Sequence, residues 1–244
     1  RTMIPFSSLS DMTDATLFLL AAVLLAPGLS AHSQSTRSGD PDPARFASEV
    51  AAFTAYDAKN ASPAGSILFT GSSSVRMWPT AQAFPGRPVV NRGFGGSHIT
   101  DLLHYYDELV APHNPDVIVL YVGDNDAASG LPVERVMDDY ETLLERLRGD
   151  YPHAHVVFLS VKLCNSRWDY REQVREVNRR VREMHETSER LHYADVASVL
   201  LGEDGVPDDG LFLSDRLHLN PQGYARWNRV LDVVLAGIPL PVRR

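Results

Sequence analysis

Two spacings of apolar residues alternate along this chain. Short runs rich in β-branched and aromatic residues stand at 67–70, 88–91, 117–122, 156–161 and 191–196, and runs this short, bounded by turn-forming residues, suit buried β-strands. Between them apolar positions recur every three to four residues. The segment 44–59 carries Phe46, Val50, Phe53 and Tyr56 at that spacing, and 99–110, 133–147, 170–188 and 221–236 follow the same rule, the last opening on Pro221, a helix-start signal. Strand and helix in alternation predict an α/β fold, a five-stranded parallel sheet with helices on both faces. In such a sheet ligands bind beyond the C-terminal ends of the strands, which directs attention to the residues just after each run.

One further apolar stretch does not fit this alternation. Residues 15–25 form an uncharged run followed by Pro27, Gly28 and small residues up to Ser33, the layout of the hydrophobic region and cleavage zone of a secretory signal. It is short for a membrane span; a buried helix and an uncleaved anchor are the other readings. The expected division is a signal peptide at 1–33, a linker rich in Ser, Gly, Pro and Asp at 34–43, and one folded domain at 44–244. The expected location is secreted or periplasmic, with no stable membrane insertion once the signal is removed.

Composition narrows the function classes. With 44% hydrophobic and 22% charged residues the chain is globular rather than disordered. Its net charge of −8 argues against a nucleic-acid partner, and the arginines of 171–190 are interleaved with glutamates, as on a solvated helix face. The single cysteine, Cys164, excludes an internal disulfide framework and a Cys-based zinc site.

Four strand ends carry chemistry-bearing residues. They are Gly71-Ser72-Ser73-Ser74, the segment 91–97 with Gly93, Gly95 and Gly96, the segment Gly123-Asp124-Asn125-Asp126, and the segment 214–220 with Asp215 and His218. A nucleophilic serine needs a base, a group to orient that base, and donors for an oxyanion. Asp215 and His218 are three apart where a loop enters a helix, so the carboxylate can hold one imidazole nitrogen while the other faces a serine. Glycine allows close approach of backbone N–H groups, and the Asn125 amide is an uncharged donor.

In order and spacing these blocks resemble the SGNH (GDSL-like) hydrolase family, over about residues 67–227. Gly71-Ser72-Ser73 resembles its first block, Gly96 the second-block glycine, Gly123-Asp124-Asn125-Asp126 the third, and Asp215-Arg216-Leu217-His218 the last. The first-block context is most similar to the platelet-activating-factor-acetylhydrolase-like esterases and to carbohydrate acetylesterases. The resemblance implies a flavodoxin-like three-layer α/β/α fold and an ester hydrolase. It implies Ser73 as nucleophile, His218 as base, Asp215 as orienter, and an oxyanion hole built from Ser73, Gly96 and Asn125, without metal or organic cofactor. Ser72 stands where most members carry aspartate; with Ser74 it reads as a turn former and helix cap.

Blander readings compete for several positions. Asp124 and Asp126 suit cap roles, Asp101 the first turns of a helix, and His153 with His155 a loop entering a strand. The acidic stretch 203–210 reads as a turn-rich excursion that brings Asp215 into place. Trp78, Arg167 and Trp168 stand near strand ends and are candidates to bind substrate, with core packing the alternative for each tryptophan. The expected partner is a small-molecule or glycan ester; the alternative function is a non-catalytic member of the same fold that binds glycan or lipid.

Overall fold

The computed structural model describes residues 39–240. The signal-peptide reading of 1–33 and the first half of the linker, 34–38, lie outside the described residues.

Five strands, β1 (Ile67–Gly71), β2 (Val89–Gly93), β3 (Val117–Tyr121), β4 (His155–Leu159) and β5 (Leu191–Ala194), form one parallel sheet. Their order is β2-β1-β3-β4-β5, the flavodoxin-like arrangement. Because the chain leaves β1 toward one edge and returns through β3 on the other side, their C-terminal ends part into a crevice.

The α-helical segments are α1 (Ala47–Asp57), α2 (Ser73–Arg76), α3 (Thr80–Ala83), α4 (Ile99–His104), α5 (Tyr106–Leu109), α6 (Asp124–Ala128), α7 (Val133–Asp150), α8 (Arg171–His185) and α9 (Pro221–Gly237). Strand side chains alternate between two cores. Leu68, Ile118, Leu120, Val156 and Phe158 face α1, α4, α5, α7 and α8. Ile67, Phe69, Val119, Tyr121 and Val157 face α2, α3 and α9, where they meet Trp78, Trp227 and Leu231. β1, β3 and β4 are buried along their whole length, and that double-sided burial is why they read as unbroken apolar runs.

The expected three-layer α/β/α architecture is therefore present, with local differences. The predicted helix at 99–110 is interrupted at Tyr105, whose backbone leaves the helical region (φ −98°, ψ 20°). Its hydroxyl donates to the Pro43 carbonyl at 2.9 Å and its ring packs edge-on to Phe94. This tertiary anchor overrides the local periodicity. The short helices α2, α3 and α6 went unanticipated because four or five residues carry no readable period.

Candidate active site

Strand register decides which loops meet. Gly71 pairs with Gly93 on one side and with Tyr121 on the other, so the loops after β2, β1 and β3 stand side by side at the crevice. The turn after β1 depends on glycine: Gly71 has φ +129°, and a Cβ there would lie 2.0 Å from the Tyr121 carbonyl oxygen. Ser72 donates its N–H to that same carbonyl at 3.1 Å, which fixes the chain as it turns into α2. Ser73 is the first residue of α2, where a backbone N–H has no intrahelical acceptor.

His218 reaches Ser73 from the other end of the chain. Its Nε2 lies 3.0 Å from Ser73 Oγ, and its Nδ1 lies 2.6 Å from Asp215 Oδ2. The carboxylate can only accept, so Nδ1 carries the proton and Nε2 turns its lone pair to the serine. Asp215 Oδ1 also accepts the N–H groups of Leu217 and His218, each at 2.9 Å. Partial burial works to raise the carboxyl, but the His218 side chain and these two N–H donors outweigh it and hold Asp215 down at about 2. The aspartate is thus an anion at neutral pH.

The segments that follow β2 and β3 carry Gly96 and Asn125. Gly96 is exposed with φ +75°. Asn125 Nδ2 donates to the neighbouring Ser97 carbonyl at 2.9 Å, tying the Asn125 loop to the Gly96 turn. Asp126 is fully buried and accepts the Ile99 N–H at 3.0 Å, a cap for α4 supplied from α6. Burial pushes its carboxyl up to about 7 against the pull of that bond.

Next to Ser73 lies a charge cluster. Lys162 Nζ, buried, donates to Asp124 Oδ2 at 2.7 Å, Tyr121 Oη at 3.1 Å and Ser74 Oγ at 3.2 Å. Arg167 donates to Asp124 Oδ1 at 2.6 Å. Burial disfavours the Asp124 anion, but the two cations outweigh it and hold the carboxyl far below the usual range. Burial likewise works against the Lys162 ammonium, and Asp124 more than restores it. Sequence reasoning overlooked Lys162, although a lysine inside the apolar run 156–164 is itself a sign of a buried partner.

Two expectations are corrected by these contacts. Trp78 is 2% exposed, stacked on Tyr224 and edge-on to Phe69 and Trp227, so its faces are spent in the core and not on a substrate. Arg167, a substrate-binding candidate, donates to Asp124 and Asn125. Of the serines, Ser72 holds the cap position of α2 without a capping side-chain bond, its hydroxyl being buried without a partner, and Ser74 serves Lys162. Trp168 is half-buried, packed on the core with the Arg171 guanidinium 5.2 Å from its ring centroid.

The GDSL-like Lipase/Acylhydrolase family model matches residues 65–226, the span that holds every block described above. The chain belongs to this family. As a GDSL-like acylhydrolase it is an ester hydrolase. Similar solved structures include a Streptococcus pneumonia protein provisionally assigned as a platelet activating factor, 23% identical with a TM-score of 0.70 over 79% of this chain and 94% of that one. A GDSL-like lipase from Bacteroides thetaiotaomicron is 18% identical, with a TM-score of 0.65 over 80% and 97%. A catalytic mutant of an acetylxylan esterase from Geobacillus stearothermophilus is 16% identical, with a TM-score of 0.57 over 76% and 100%. At these identities the likeness is one of fold. No curated protein matches significantly.

Proposed function

We propose that this GDSL-like hydrolase is an exported serine esterase that removes short acyl groups, acetyl above all, from a small polar alcohol or a glycan. The observation that carries the reading is the chain of contacts from Asp215 through His218 to Ser73, at 2.6 and 3.0 Å. In this mechanism Ser73 Oγ attacks the ester carbonyl carbon while its proton passes to His218 Nε2. The negative charge gathers on the carbonyl oxygen, where the Ser73 and Gly96 N–H groups and the Asn125 amide donate to it. Collapse breaks the bond to the alcohol oxygen, which leaves with the proton from His218. A water molecule then gives its proton to His218, attacks the acyl carbon and releases the acid as Ser73 recovers its proton.

Short acyl groups are favoured by the loops around Ser73. The connections at 94–98 and 122–123 are brief, and the longer one at 195–220, which carries Asp215 and His218, buries Leu200, Leu211, Phe212 and Leu219 in the core, so these offer no long apolar insertion to cover a fatty chain. The fold shared with an acetylxylan esterase agrees with this choice. Export rests on the apolar run at 15–25 and the small residues that follow. N-terminal sequencing of the protein from its host is expected to begin near residue 34, and an intact N-terminus on cytoplasmic material would remove this part of the reading.

Covalent labelling tests the chemistry. A fluorophosphonate is expected to add to Ser73 in the wild type and to nothing in Ser73→Ala, with Ser72→Ala and Ser74→Ala still labelled. Folded wild-type protein that takes no label would point to the non-catalytic binder of the same fold.

A further inference from the structure

Asn125 sits in a frame of contacts that its role as an oxyanion donor does not require by itself. Its amide has one acceptor and two donor hydrogens. The oxygen accepts from Arg167 Nη2 at 3.0 Å. One hydrogen goes to the Ser97 carbonyl at 2.9 Å, which leaves the second available for the crevice. A guanidinium has no acceptor and a backbone carbonyl no donor, so these two neighbours together admit only one flip of the amide.

Arg167 is itself fixed on both sides of that bond. Its Nη1 donates to the Asp124 carboxylate at 2.6 Å and to the Asp124 carbonyl at 3.1 Å. The short 3₁₀ segment Asn165–Tyr170 that carries it is broken at this residue alone, with φ −127° and ψ 28°. Asp124 is anchored in turn by buried Lys162. Within this cluster two cations share one carboxylate, so one positive charge is left over, and it lies against the Asn125 oxygen. A cation there polarises the amide and makes its N–H groups stronger donors. Asp124 and Asn125 are 5% and 8% exposed, so water screens this effect little.

We infer that Arg167 is a positioning residue for the ester hydrolysis: it locks the flip of the Asn125 amide and strengthens it as a donor to the developing oxyanion. The inference rests on Asn125 being an oxyanion donor, as proposed above. It differs from a substrate-binding arginine in acting only on the transition state, where charge builds on the carbonyl oxygen.

A double-mutant cycle on the full chain with p-nitrophenyl acetate decides the matter. Asn125→Ala alone is expected to lose about 10²- to 10³-fold in kcat, as for loss of one oxyanion donor. Arg167→Met is expected to lose about 10- to 100-fold in kcat, a fraction of that donor's worth, with KM within about twofold. In the Asn125→Ala background Arg167→Met should cost less than about threefold, because its partner is gone. Arg167→Lys, which keeps the charge beside Asp124 and so the fold, should show most of the same kcat loss, since an ammonium lacks the planar fork that spans Asp124 and Asn125. The inference is overturned if the Arg167 loss is as large without Asn125 as with it, if the loss falls on KM, or if Arg167→Lys matches wild type. Wild-type kcat in Asn125→Ala would overturn the oxyanion assignment itself, and the inference with it.

Discussion

At Asp215 a single side chain does two structural jobs and sets the protonation of a third group. Its oxygens divide between the His218 ring and two backbone N–H groups, and the resulting pull holds it near 2. Being depressed, it loses its charge only as pH falls through that value. Asp215 therefore adds no ionisation of its own to the kcat/KM profile around neutral pH, and its charge is lost only in strong acid. Asp215→Asn should lower kcat by as much as ~10⁴, because an amide can present a donor to Nδ1 and favour the wrong tautomer. Its melting temperature should change little, since the side chain is 46% exposed. Near-wild-type turnover in this variant would remove Asp215 from the mechanism. Asp215 and His218 were readable as a candidate pair from residue type and spacing, and Ser73 was singled out from its neighbours by the family resemblance, whereas the job of Arg167 was not readable. Its role depends on which of several carboxylates and amides a long side chain meets, and spacing along the chain does not carry that information.

At the scale of elements, the site is a set of strand ends held in register. Gly71 is the tightest point: alanine there would face both a φ of +129° and a Cβ contact of 2.0 Å with the Tyr121 oxygen. The backbone conformation alone costs a non-glycine residue about 1–3 kcal/mol, and relieving the contact must push β1 from β3 or tilt α2. Gly71→Ala is thus expected to lose both stability, seen in urea unfolding, and turnover; full activity with an unchanged urea midpoint would show that α2 does not depend on this turn. The loop after β4 ties the two halves of the site together. Arg167 holds Asn125 on one side, and on the other Ser166 donates its hydroxyl to the Arg216 carbonyl at 3.1 Å. Arg216 is the one non-glycine residue among the described residues with positive φ, +54°, and it stands between Asp215 and His218. The major strands and helices were legible because each is long enough to show a period. The short helices that carry Ser73 and Asn125 were not, and the break at Tyr105 was set by a partner some 60 positions away at Pro43.

The whole molecule brings residues from 73 and 218 within one hydrogen bond by folding both onto the C-terminal edge of one sheet. The short connections beside the crevice carry the proposal that it takes short acyl groups. Across a series of p-nitrophenyl esters kcat/KM should peak at about two to four acyl carbons, because each further buried methylene gains only ~0.8 kcal/mol and a short cleft turns that gain into a clash. A peak at about eight carbons or beyond would move the reading toward a lipase. The sequence by itself determined the layer architecture, since double-sided burial of the central strands and one-sided burial of the helices leave two distinct apolar periods in the chain. It also offered Ser73, Asp215, His218 and Asn125 as candidate reactive groups, through their order beside glycines at strand ends and the family resemblance that this order carries. Only the tertiary structure decided that Trp78 is core and that Ser74 serves Lys162. It likewise decided that Asp124 is a buried ion rather than a cap, and that Arg167 faces an amide. Each of these depends on side chains brought together across separate loops, and their energies come from burial and charge pairing that exist only once the sheet has closed around them.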